Sequence, residues 1–111
     1  MNASADSDVV NLSSALEYQP SSVISRVLLK NAGGTITLFA FDAGEGLSEH
    51  KTPYDAFLNV VEGSVRIRIA DADHTLSAGD SIILPANIPH AVDALTQFKM
   101  LLVMIKAPKA E

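Results

Sequence analysis

A chain of 111 residues has room for one hydrophobic core and no second, and at this size a core burying roughly 60–70% of the unfolded surface stands without staples. The absence of cysteine excludes a disulfide framework, a thiolate metal site and a cysteine nucleophile. Eight basic against thirteen acidic residues give a net charge of −5, and with no run of Lys or Arg this excludes the electrostatic footprint of a nucleic-acid binder.

The first eight residues, rich in Ser, Ala, Asn and Asp, read as a loosely held tail. They have neither the basic segment nor the apolar stretch of a secretory signal. Val9 to Leu16 fits a short helical turn or an edge strand. The segment 1–20 is therefore expected to be a tail with a short edge element, and 21–107 a barrel. Val23–Lys30 is rich in β-formers, Asn31–Gly34 is a turn with two glycines, and Thr35–Asp42 is again β-rich. Together they predict a hairpin. Ala43–Gly46 interrupts the pattern.

Phe57–Glu62 runs into Gly63-Ser64, after which Val65, Ile67 and Ile69 alternate with Arg66 and Arg68. Period two with one apolar face predicts a strand with the arginines on its solvated side. Ala70–Asp73 reads as a turn, His74–Leu76 as a short extended piece and Ala78–Asp80 as a further turn. A surface position is expected for His74. Ser81–Leu84 is a strand halted by Pro85, and His90–Leu95 and Phe98–Lys106 finish the pattern. Short strands at turn spacings of about 8–12 residues, without helical periodicity, predict an all-β sandwich or barrel. The longest aliphatic run, Met100–Ile105, is far below the roughly 20 residues of a membrane-spanning helix. A soluble, cytoplasmic protein without a membrane partner is expected.

The middle of the chain resembles the two motifs of the cupin superfamily. In the first, G-x5-H-x-H-x3/4-E-x6-G, Gly44, His50 and Gly63 match. The second histidine position holds Thr52, and the glutamate position holds Ala56. In the second, G-x5-P-x-G-x2-H-x3-N, Gly79, Pro85 and His90 match, while Asn87 stands for the inner glycine and Ala94 for the terminal Asn. The motifs cover 44–63 and 79–94. The resemblance implies a single-domain jelly-roll β-barrel.

It also implies where chemistry would sit. In metal-binding cupins the histidines and glutamate of the first motif join the histidine of the second around one ion. Here the resemblance leaves His50 and His90 as metal ligands, and the ion would be a divalent transition metal such as zinc, nickel, iron or copper. Loss of the glutamate removes the only negative charge the family places on the ion, so weak or absent binding is expected. Strand alternation turns Glu49 and Asp55 away from the cavity.

A ligand cavity lined by His50, Thr52, Ala56, His90, Tyr54 and Met100 is expected, with Met104, Phe39 and Phe41 serving as core packing. Three functions compete. The favoured one is a non-catalytic barrel that binds a small organic molecule, with neutral imidazoles orienting it. The alternative is a metal-dependent enzyme of dioxygenase or isomerase type using His50 and His90. The third is a metal-free enzyme with His50 as general base beside Asp55 or Tyr54. Homodimerisation through outer strands is implied by the resemblance and by the need to cover an exposed sheet edge.

Overall fold

The computed structural model describes residues 8–108. The tail expected over the first eight residues thus lies, except for Asp8, outside the described residues. Nine strands follow in chain order: β1 (Val23–Asn31), β2 (Gly34–Phe41), β3 (Gly46–His50), β4 (Tyr54–Glu62), β5 (Ser64–Ile69), β6 (Ala72–Ser77), β7 (Ser81–Leu84), β8 (His90–Ala94) and β9 (Phe98–Lys106). They form two antiparallel sheets, ordered β1-β2-β9-β4-β7 and β3-β8-β5-β6. No helix occurs among the described residues, so none is long and apolar enough to cross a membrane.

The two sheets exist because period-two alternation gives each one a face to bury. Leu58 and Val60 of β4, Val65 and Ile67 of β5, Val92 of β8, and Phe98 and Met100 of β9 meet between the sheets. Phe41 stacks on Phe98 at 4.7 Å between ring centroids, closing one end of this core. Arg66 and Arg68 stand on the opposite face of β5, exposed beside Asp93 at 3.6 Å and Asp73 at 3.2 Å. Such exposed pairs contribute at most about 1 kcal/mol each.

Three segments differ from the sequence pattern. His74 is exposed as expected, but it lies within a six-residue strand, β6, paired with Ile67. The stretch after Gly46 is a strand, β3, although Ser48, Glu49 and His50 show no alternation. Residues 8–22 form turns and irregular chain rather than a helix or strand. They are nevertheless pinned to the outer face of the five-stranded sheet. Lys99 of β9, 5% exposed, donates to the carbonyl of Ser13 and lies 3.5 Å from the Glu62 carboxylate. Its ammonium sits 4.9 Å from the centroid of the Tyr18 ring, and the Tyr18 hydroxyl donates to Glu62 at 2.5 Å. Burial, followed by the Glu62 hydrogen bond and charge, pushes the Tyr18 phenol well above its ordinary range.

Two motif glycines serve different needs. Gly63 has φ +82°, and a Cβ there would lie 2.1 Å from the Gln97 carbonyl oxygen and 2.8 Å from the Phe98 Cα. Gly79 has φ +94° with nothing within 4 Å of the added atom. Gly79→Ala is therefore expected to cost roughly 1–2 kcal/mol, the left-handed backbone alone. Gly63→Ala, with a rigid backbone collision added, should cost about 3 kcal/mol or more. Thermal unfolding of both variants checks this, and equal losses would show that the close approach at Gly63 is relieved by backbone movement.

Candidate functional site

The site forms where β3 and β8 lie side by side, with His50 and His90 directly opposite each other. The register passes from Leu47↔Val92 to His50↔His90, so three steps on β3 match two on β8. This extra residue is a bulge, and it reverses the alternation so that Leu47 and His50 both face inward. On β8, His90 shares the inner face with Val92 and Ala94 by ordinary alternation. His50 is exposed at the mouth, and His90, 8% exposed, lies beneath it.

The loops flanking the pair are tied together. The Asn87 amide donates to the Thr52 carbonyl at 2.7 Å. The Ala86 amide donates to the Asp55 carboxylate at 2.8 Å. Asp55 therefore faces away from the cavity, as alternation predicts, and holds the β7–β8 loop instead; Glu49 is exposed. Asn87, at the motif's inner glycine position, has φ +64°, a conformation Asn tolerates better than most residues. The backbone requirement of the motif is met without glycine.

The two imidazoles meet through their Nε2 atoms at 3.1 Å, with ring planes at 69°. The His50 Nδ1 lies 2.8 Å from the Ser48 carbonyl and the His90 Nδ1 3.4 Å from the Ile88 carbonyl. A carbonyl only accepts, so both contacts call for hydrogen on Nδ1. That leaves two Nε2 lone pairs converging on one point, an arrangement complementary to a cation or a donor. A neutral pair can relieve it by moving one proton to an Nε2, at the expense of the longer 3.4 Å contact. Burial, then the neighbouring His50, pushes the His90 pKa below its ordinary value, and the Ile88 carbonyl opposes this only in part.

A cavity of about 40 Å³ lies below the pair, lined by His50, His90, Thr52, Ala56, Met100 and Met104 together with Leu47, Leu58, Leu84, Val92 and Leu102. Five of the six residues expected in the cavity wall thus come together. Tyr54 shares the inner face of β4 but opposes Lys106 at the strand's end, outside the lining. The Thr52 hydroxyl accepts from the Tyr54 amide at 3.2 Å, which commits it to the local turn. Met100 and Met104 both line the cavity, and Met100 is also part of the core. No carboxylate lines the cavity. Among the described residues no group of three or more His, Cys, Asp or Glu stands ready to hold a metal. Of the aliphatic lining, Leu47 could not be foreseen, because its inward position follows from the β3 bulge. A larger open groove of about 170 Å³ lies by the β1–β2 hairpin and has no ionisable side chain in its lining.

Comparison with known proteins gives one family. The model of the cupin domain matches residues 37–106. The fold is similar to a conserved protein of unknown function from Streptococcus pyogenes (32% identity, TM-score 0.87, covering 95% of this chain and 91% of that one). It is also similar to a cupin superfamily protein from Desulfitobacterium hafniense (27%, TM-score 0.86, 92% and 94%). A cupin 2 conserved barrel domain protein from Leptotrichia buccalis is 37% identical with a TM-score of 0.84, over 87% of this chain and 47% of that one. No curated protein matches the chain.

The depressed His90 pKa has a consequence for stability. The unfolded chain takes up a proton on this histidine near pH 6.5, whereas the folded chain does so only at lower pH. The stability present above pH 6.5 is therefore lost as pH falls through the folded value. The chelator-treated protein should lose thermal stability between pH 7 and pH 5. His90→Gln should flatten that slope, and an unchanged slope would assign it to other groups.

Proposed function

The chain belongs to the cupin family, and we propose that it is a metal-ion-binding cupin barrel in which His50 and His90 supply the two imidazole ligands. The observation that carries this reading is the pair of converging Nε2 atoms, 3.1 Å apart, each ring turned by a backbone carbonyl at Nδ1. Bonds of about 2.0–2.1 Å to an ion at a tetrahedral angle would set two imidazole nitrogens about 3.3 Å apart. The rings thus need to separate only slightly. Backbone carbonyls at Nδ1 are the outer partners that fix the tautomer of a ligating histidine.

The donor set fits an ion in part. Two imidazoles are present, but Thr52 and Ala56 stand where the family pattern has a histidine and a glutamate, so a four-ligand site with a carboxylate does not fit. A bound ion would supply Lewis acidity at the mouth of an apolar cavity. The residues themselves fix two nitrogens, exclude bulk water with an aliphatic wall, and leave access past His50. The volume of about 40 Å³ suits an ion with a water or two. A second reading, a metal-free barrel holding a small organic molecule, is supported by the aliphatic lining and needs the cavity to widen.

Elemental analysis of untagged protein after exposure to zinc, nickel, iron or copper separates the two. Near-stoichiometric metal that His50→Ala and His90→Ala both lose is expected. An ion retained by both variants, or none bound by the wild type, refutes the metal reading.

We also propose that two copies pack through the outer face of the five-stranded sheet. On that face the register aligns Leu29, Ile36, Val103, Phe57 and Ile83 in one apolar row crossing all five strands. Leu29 and Ile83 are about half exposed and Phe57 38%. One such row is self-complementary about a two-fold axis. Light scattering should give about twice the 11.8 kDa chain mass at micromolar concentration, with Phe57→Glu reducing it to the single chain. A wild-type monomer would rule the dimer out.

A further inference from the structure

The position of the missing carboxylate has a thioether across the sheet. Ala56, at the family's glutamate position, lies on the inner face of β4 directly opposite Met104 of β9. Opposed residues on one face of an antiparallel pair have Cβ atoms about 4.5–5.5 Å apart. The long thioether of Met104 can therefore cover the space that the single methyl of Ala56 leaves free. Met104 lines the same cavity as His50 and His90. Unlike Met100, which is 1% exposed and belongs to the core, Met104 is only partly buried and packs against the core's margin. Its flexible side chain has freedom to turn toward the imidazoles.

We propose that His50, His90 and Met104 form a three-coordinate soft-metal site selective for Cu(I) over hard divalent ions. The proposal rests on the metal-binding reading above and specifies the ion. All three donors are uncharged, and no carboxylate lines the cavity, so a divalent ion would enter an apolar pocket with no compensating charge. A monovalent ion carries half the charge and, because the desolvation cost grows with the square of the charge, about a quarter of that burden. Thioether sulfur is a soft ligand that favours Cu(I), whereas carboxylate and carbonyl oxygen favour hard ions. Replacement of Glu by Ala, with a methionine directly across from it, therefore changes the kind of ion accepted as well as the strength of binding.

The test uses the full chain under anaerobic, reducing conditions with Cu(I) alone as the probe. A chromophoric Cu(I) chelator serves as competitor, and Zn(II) affinity is measured separately. The wild type should withdraw one Cu(I) per chain from the chelator. Met104→Leu should weaken Cu(I) binding at least about tenfold while changing Zn(II) affinity by less than about twofold. His50→Ala should lose both ions. On wild-type protein with ¹³C-labelled methionine methyls, the Met104 signal should shift as Cu(I) is added, a readout that does not depend on any variant folding. Cu(I) bound equally by wild type and Met104→Leu, with the Met104 methyl unmoved, overturns this proposal and leaves the two-histidine reading standing. If the wild type binds neither Cu(I) nor Zn(II), the metal reading itself fails and this one with it.

Discussion

The hydrogen bond from the Asn87 amide to the Thr52 carbonyl, at 2.7 Å, joins the two connections on which the site hangs. Thr52 lies between β3, which ends at His50, and β4, which carries Ala56. Asn87 lies between β7 and β8, which begins at His90. The two strands bearing the imidazoles are paired, but each also enters or leaves a loop that could splay from its neighbour. The Thr52–Asn87 bond, reinforced by the Asp55 carboxylate on the Ala86 amide, prevents that. The cross-strand facing of His50 and His90 follows from the backbone register of β3 and β8.

The opposite face of the larger sheet depends on a different polar group. Lys99 is buried on the outer side of β9, and an ammonium there is tolerated only because its partners are brought to it. Ser13 and Tyr18 come from the irregular N-terminal segment and Glu62 from the end of β4. The segment thereby becomes part of the barrel wall, on the face where Ala40 of β2, directly opposite Lys99, and Leu38 have no exposure at all. Further along the same face Leu29, Phe57 and Ile83 are 38–55% exposed, so one sheet surface is divided into a buried part around Lys99 and a partly exposed apolar part.

Much of the architecture was legible because strands that bury one face must alternate. The β1–β2 hairpin, β5 with its arginines outside, and β9 all follow from that rule. The motif spacing placed His50 and His90 at one site because register, once set, brings their strands together. What the sequence could not show was non-local or irregular. The strand β3 has no alternation, because its bulge puts Leu47 and His50 on the same side. Lys99 reads as an ordinary strand-end charge until its distant partners are known. The part of Met104 in the cavity depends on the β4–β9 register, which pairs residues far apart in sequence.

The departures from the family pattern are of two kinds, and the distinction explains why a degenerate motif can keep its backbone geometry while losing donors. Asn87 replaces a glycine whose contribution was a positive φ, and Asn supplies nearly the same backbone at modest strain. Ala56 replaces a glutamate whose contribution was charge and an oxygen donor, which no rearrangement of the backbone restores. The first change is compensated within the residue itself. The second is open to compensation by what stands across the strand, and of the two residues opposite Ala56, Leu84 and Met104, only Met104 carries a donor atom. Preserved spacing in this chain therefore reports preserved geometry alone. The chemistry of the cavity is set by a lining of two imidazoles, two thioethers and aliphatic side chains without a carboxylate, and a lining of that kind disfavours an ion of high charge more than one of low charge.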